Sequence, residues 1–168
     1  AFVAQGWHVE TFGQKTYNGV ALLGRAPLVD VVRGLPDDGP DAQRRLIAAT
    51  MGGVRVVDVY VPNGESVESE KFPFKLAWLA RLERFVAAEL GRGLPLVLLG
   101  DFNIAPEDRD VYDPEAWRGQ VLFHPKEHAA LRRLLAWGLV DLLREKHPEP
   151  GHFTWWDYRA LAFPRGHG

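Results

Sequence analysis

Residues Leu96-Val-Leu-Leu99 form an unbroken apolar run that stops abruptly at Gly100-Asp-Phe-Asn103. A run without polar alternation reads as a strand covered on both faces, and such strands belong to layered α/β structures. At its exit stand two short oxygen-bearing side chains, two positions apart. On an extended backbone such residues point to the same side. Asp101 and Asn103 are therefore expected to reach one point just beyond the sheet. A hard cation such as Mg²⁺ takes few oxygen ligands from protein and the rest from water and substrate phosphate. Asp and Asn also favour turns and cap the chain that follows. These residues alone leave both readings open.

The surrounding chain alternates strands and helices. Gly19–Gly24 reads as a buried strand fed by the turn Tyr17-Asn18-Gly19, and Leu28–Val32 continues in the same idiom. Arg45–Thr50 is compatible with helix or strand. Gly52-Gly53, followed by the β-branched run Val54–Val61, predicts a hairpin that closes in the loop Pro62-Asn63-Gly64-Glu65. Leu76, Leu79, Leu82, Phe85, Val86 and Leu90 fall at helical spacing over 74–90, with Gly91 as the C-cap. An irregular stretch, 104–123, precedes a second helix opened by Pro125 and ended by Gly138, with Leu131, Leu134 and Leu135 on one face. A short helix is expected over 141–145, and a strand running into a loop over 152–159. The fold class is α/β with a sheet core.

Composition narrows the functional classes. The chain has 168 residues, 46% hydrophobic and 25% charged, with a net charge of −2, which suits one domain of ordinary globular type. Its apolar runs all fall short of the roughly 20 residues of a membrane helix. The absence of cysteine excludes disulfides and thiolate metal sites and is compatible with a reducing cytosol. Near-neutral charge argues against broad nonspecific binding of nucleic acid, while leaving room for a local basic groove. The six histidines lack His-x-x-x-His or His-Glu-x-x-His spacing on a helix, which argues against zinc; His124 and His128 are separated by the helix start at Pro125.

Three further groups carry chemistry. Tyr60 ends a strand and faces a loop. Its phenol can donate to a developing phosphate charge or, as phenolate, help activate a nucleophile; equally, it can pack its ring and wet its hydroxyl. Phe153, Trp155, Trp156 and Tyr158 cluster beside Arg159, a combination that suits stacking on a base or filling an abasic gap. Part of such a cluster is expected in a core. Arg44, Arg45, Lys71 and Lys75 are either phosphate contacts or solvated surface charges.

Taken together, Tyr60-Val-Pro-Asn-Gly-Glu65, Gly100-Asp-Phe-Asn103, Trp137-Gly-Leu-Val-Asp141 and Phe153-Thr-Trp-Trp-Asp-Tyr-Arg159 resemble the exonuclease III family of the endonuclease/exonuclease/phosphatase superfamily. Tyr17-Asn-Gly-Val-Ala-Leu-Leu23 and Ala42-Gln-Arg-Arg45 fit the same pattern. The resemblance implies a four-layer α/β sandwich, two mixed β-sheets packed face to face with outer helices, of which residues 1–168 form one partial domain. It implies a Mg²⁺-dependent DNA-repair nuclease, Mn²⁺ being the substitute ion. Such an enzyme cuts double-stranded DNA 5′ to abasic sites and from 3′ ends, as a monomeric, cytoplasmic, bacterial-type enzyme acting at the nucleoid. By the same resemblance, Asp101 orients and deprotonates the attacking water and helps bind metal. Asn103 holds the nucleophile or transition state near that metal, and Tyr60 assists at the scissile phosphate. Asn18, Arg45 and Asn63 hold the DNA backbone. Trp155 and Trp156, with Arg159 beside them, line the pocket for the abasic sugar.

The departures from the family pattern are specific. An Asn-x-Asn-like strand, and a Gln-Glu-Thr strand whose Glu is the principal metal ligand, would precede Ala1. An Ile-Asp segment and a Ser-Asp-His motif would follow Gly168. The chain thus reads as a central fragment, expected to show unpaired sheet edges, uncovered apolar surface and weak or absent activity on its own. The alternatives are another phosphoesterase of the superfamily, against which the Trp155–Arg159 cluster argues, and a DNA-binding remnant without catalysis.

Overall fold

The computed structural model describes residues 1–157 and 161–168. They form two compact units, one of residues 1–62 and 81–102, the other of 63–80 and 103–168.

The first unit holds all the strands of the described residues: β1 (His8–Gly13), β2 (Gly19–Gly24), β3 (Val29–Arg33), β4 (Leu46–Met51), β5 (Val54–Tyr60) and β6 (Leu96–Asp101). β1 and β2 pair antiparallel as a two-stranded sheet; the other four form a mixed sheet ordered β3-β4-β5-β6, antiparallel except for the parallel pair β5-β6. Gly52 and Gly53 turn the β4-β5 hairpin with φ of 58° and 82°, which two L-residues with side chains would adopt only under strain. The ambiguous segment 45–50 is therefore strand, because its hairpin partner supplies the hydrogen bonds.

β2 lies over β4 and β5, and Leu22, Ile47 and Ala49 form the apolar contact between the sheets, with Phe12, Val20, Val31 and Val56 around them. The opposite face of β5 carries Arg55, Val57 and Val59, all buried. There Arg55 pairs with Glu89 and donates to the Asp30 carbonyl at 2.8 Å. Glu89 lies in α1 (Lys71–Leu90), so this face of the sheet meets the helix.

Several expectations are corrected. β6 is not covered on both faces: Val97 and Leu99 are 41% and 40% exposed. They share the face of Val56 and Asp58 on β5, where a cover of only two strands lies over β4 and β5. This is the uncovered apolar surface expected above. β2 is half-covered, with Leu22 and Gly24 buried and Ala21 and Leu23 open. β1, with its mixed His-Val-Glu-Thr-Phe-Gly pattern, carries no sequence signal strong enough to have been read. Helix α1 starts at Lys71 rather than 74, because the Ser69 hydroxyl accepts the Lys71 N–H at 3.2 Å and Pro73 is tolerated in a first turn. The left-handed residue after the helix is Gly93, φ 73°, rather than Gly91.

The second unit contains the first half of α1 and the short helices α2 (Pro114–Trp117), α3 (Pro125–Leu135), α4 (Leu142–Lys146) and α5 (Ala162–Arg165). Phe72, Phe123, Ala130 and Leu134 are buried in it. Phe72 meets His124 edge-on, and Phe123 meets His128 edge-on, at ring distances of 5.0 and 4.9 Å. The expected strand at 152–159 is absent over 152–157, where the chain is irregular; residues 158–159 lie outside the described residues. The carbonyl of His152 is taken by the Arg144 guanidinium at 2.6 Å, so the aromatic run begins on a side-chain hydrogen bond rather than a strand ladder.

Gly100 is the tightest point of the parallel pair. Its φ is 125°, and a β-carbon there would lie 2.0 Å from the Val59 carbonyl oxygen. Gly100→Ala is expected to destabilise the protein by more than about 2 kcal/mol, read as a lowered urea midpoint. Asp58 gives a second test. It is half-buried, and burial pushes its carboxyl above the usual carboxylate range, against the pull of the Ala21 and Val59 N–H groups. A raised folded pKa means that the ionised form is penalised: stability is greatest below about pH 3.9 on this account and falls as pH rises through the higher folded value. Asp58→Asn keeps an acceptor and removes the penalty. Its urea midpoint near neutral pH should equal or exceed wild type, the advantage shrinking on acidification; a lowered midpoint near neutral pH would contradict this.

Candidate active site

Three adjacent strands deliver the first group of candidate side chains. Parallel register sets Tyr60 beside Asp101, and the Val61 N–H donates to the Asp101 carbonyl at 2.8 Å just past the pair. On the other side the Tyr60 N–H donates to the Arg45 carbonyl, also at 2.8 Å, one step before β4 begins. Arg45, Tyr60 and Asp101 therefore stand in a row across the ends of β4, β5 and β6. The Arg45 guanidinium lies over the Tyr60 ring, 4.6 Å from its centre, and its Nη1 donates to the Tyr60 carbonyl at 3.0 Å. Burial draws the Arg45 guanidinium below its usual range, opposed by Tyr60 and by the Asp101 carboxylate. Arg45 itself is nearly buried, with Nε held by the Gln43 carboxamide at 2.5 Å. Asp101 is exposed at the strand end.

The second unit holds the carboxamides. Asn63 Nδ2 donates to Asn103 Oδ1 at 3.0 Å, while Asn63 Oδ1 accepts the Glu65 N–H at 3.0 Å. Strand β6 ends at Asp101, and Asn103 has a left-handed φ of 49°. The alternation that would set residues 101 and 103 on one side of an extended strand thus stops at Asp101. What orders Asn103 is a buried charge. Lys75 and Glu127 are both fully buried and form an ion pair. Lys75 Nζ also donates to the carbonyls of Asn63 (3.1 Å) and Asn103 (2.5 Å), and the Glu127 carboxylate accepts the N–H groups of Leu122 (3.2 Å) and His124 (3.0 Å).

Lys75 is therefore neither a phosphate contact nor a solvated charge, the two roles expected of it. The signal was present: Lys75 stands at i+3 from Phe72 and i−4 from Leu79, inside the buried stripe of α1. Glu127 likewise precedes Ala130 and Leu134 by three and seven positions. Arg144 is a second missed anchor, buried and bonded to Asp110 at 2.7 Å.

The remaining expected residues lie on other segments of the chain. Asn18 has φ 68° and leads into β2. Trp155 is 46% exposed, whereas Trp156 packs edge-on between Phe153 and Phe163 at 6.5 and 5.0 Å. Arg159 lies outside the described residues. Asp101 offers an exposed carboxylate and Asn103 a carboxamide oxygen, each a donor type that suits a hard divalent ion completed by water and phosphate.

A model of the Endonuclease/Exonuclease/phosphatase family matches residues 2–168, so the chain belongs to that family. Within it, its relatives are of the exonuclease III type. Exodeoxyribonuclease III of Haemophilus influenzae is 37% identical over 175 residues, covering 97% of this chain and 66% of that protein. Among solved structures, a 3′ phosphatase from Neisseria bound to a product DNA hairpin aligns over 99% of this chain at 48% identity, with a TM-score of 0.94. An AP endonuclease from Archaeoglobus fulgidus aligns over the same share at 38% identity, with a TM-score of 0.92. The chain spans 65% of the length of each of those two structures.

The Lys75–Glu127 pair generates a direct test. Lys75→Met leaves a buried carboxylate unpaired and is expected to cost about 3–5 kcal/mol in urea unfolding. Lys75→Met combined with Glu127→Leu should recover a large part of that loss, since an apolar pair removes both desolvation penalties. Equal losses in the single and double variants would place the cost in the carbonyl contacts instead.

Proposed function

We propose that the protein containing this chain is a DNA-repair nuclease. It hydrolyses phosphodiesters 5′ to abasic sites and from 3′ ends of double-stranded DNA, with Mg²⁺ as its ion and Mn²⁺ as a substitute. The observation that carries the reading is the row Arg45, Tyr60 and Asp101 across three strand ends. Names of relatives support it: an exodeoxyribonuclease, an AP endonuclease, and a 3′ phosphatase seen with DNA.

Hydrolysis of a phosphodiester needs an in-line water, a base and compensation of charge on the phosphoryl oxygens. Asp101 is the exposed carboxylate that orients the water and takes its proton. Tyr60 donates its phenol hydrogen bond to phosphoryl oxygen. Arg45, clamped by Gln43 and the Tyr60 carbonyl, fixes the ring and adds positive potential for a backbone phosphate. Asn63 holds the Asn103 carboxamide in one orientation, so that Asn103 meets the nucleophile already ordered. Mg²⁺, bound by Asp101 and Asn103, would supply Lewis-acid stabilisation of phosphoryl oxygen. Trp155, which is 46% exposed, and Trp156 line the pocket for the abasic sugar with Arg159 beside them, while Asn18 and Asn63 hold the DNA backbone.

Incision of an abasic-site duplex by the full-length protein tests this. Asp101→Ala is expected to lower the rate by about 10²–10⁴-fold, the range of a general base, and EDTA to abolish it. Incision at the wild-type rate by Asp101→Ala would overturn the assignment. The 168-residue polypeptide alone, with one carboxylate and one carboxamide as its metal ligands, should incise weakly or not at all.

A further inference from the structure

The turn His147-Pro-Glu-Pro-Gly-His152 lies outside the residues assigned above, and it brings two imidazoles and a carboxylate together. Glu149 Oε1 lies 2.8 Å from His152 Nε2 and 3.5 Å from His147 Nδ1. The two imidazole rings stack at 4.4 Å, and the candidate ligand atoms all lie within 4.8 Å of one another. Tetrahedral Zn²⁺ with bonds near 2.0–2.1 Å requires ligand atoms roughly 3.3 Å apart. Two of the three separations already bracket that value. The third is within 4.8 Å, between two histidine side chains that are 47% and 44% exposed.

An independent observation shows a turn held in place from beneath. The Arg144 side chain is buried, and its guanidinium donates to the carbonyl of each candidate ligand: His147 and Glu149 at 3.2 Å, and His152 at 2.6 Å. Arg109 holds the Pro148 carbonyl at 2.8 Å. Asp110 fixes Arg144 from behind at 2.7 Å. Pro148 and Pro150 remove further freedom from the unfolded turn. Ordering cost that a binding site usually meets on loading is thus met by the fold.

We propose that His147, Glu149 and His152 form a surface site for a divalent transition ion, with Zn²⁺ as the type. Imidazole nitrogen selects borderline ions such as Zn²⁺ over Mg²⁺, so the site differs in kind from the oxygen set at Asp101 and Asn103. Three protein ligands leave a fourth position for water. Helical spacing, the sequence signal sought for zinc, is absent because the ligands come from a proline-framed turn. Occupancy ties the turn that leads into Phe153, and so steadies the start of the aromatic segment.

The test uses the full-length protein saturated with Mg²⁺, which fills hard oxygen sites, and titrates it with Zn²⁺ against a chromophoric chelator. Wild type should bind one equivalent of Zn²⁺ more than His147→Ala/His152→Ala. Zn²⁺ should raise the Tm of wild type and not that of the double variant, because only the native turn presents the ligands. Arg144→Lys, which loses the fork that holds the three carbonyls, should weaken Zn²⁺ binding by about 10–100-fold. Equal stoichiometry and equal Tm response in wild type and the double variant would overturn the site. Undiminished affinity in Arg144→Lys would remove the guanidinium from it.

Discussion

The register of β5 is the constraint on which the first unit depends. This strand is bonded on both sides, antiparallel to β4 and parallel to β6. A slip of one residue would turn Arg55, Val57 and Val59 out of the helix-covered face and put Asp58 in their place. Burial of those three residues, together with the hairpin glycines, fixes the register locally. Tyr60 then falls between Arg45 and Asp101 without any further device. The placement of these three side chains at the strand ends is in this sense a by-product of apolar packing along the strands.

Elsewhere the chain uses buried cations to order irregular backbone. Arg55 reaches the Asp30 carbonyl at the bulge in β3, Lys75 reaches those of Asn63 and Asn103, and Arg144 reaches three carbonyls of one turn. Each cation is matched by a carboxylate, from Glu89, Glu127 or Asp110. A buried ion pair alone is a weak source of stability, since desolvation offsets attraction. Its value here is directional: a charged donor aimed at carbonyls that belong to no ladder satisfies acceptors which burial would otherwise leave stranded. Loops carrying Asn63, Asn103 and Glu149 inherit a definite shape from buried side chains outside those loops.

This explains what could be read from the sequence and what could not. The hairpin at Gly52-Gly53, the helix ending at Leu90, the strand before Gly100 and the helix start at Pro125 all follow from local pattern. The motifs at Tyr60, Gly100-Asp101 and Trp155 were enough to recognise the family. The apolar run of β6 reports tolerance of burial, while the width of the opposing sheet decides whether burial occurs, and Val97 and Leu99 stay open. The aromatic residues of 152–159 favour extended backbone and so suggest a strand, yet the carbonyl of His152 already belongs to Arg144. The charge of Lys75 and Glu127 points to the surface, whereas their positions in an apolar stripe point inward, and both are buried.

The close approach at Gly100 has a genetic corollary. Every amino acid reachable from a glycine codon by a single base change carries a β-carbon, and the Val59 carbonyl leaves no room for one. Silent changes aside, point mutation offers this codon no neighbouring allele that leaves the parallel pair unstrained. The strand end that carries Asp101 is thereby held by a backbone contact that no substitution at Gly100 can keep unstrained.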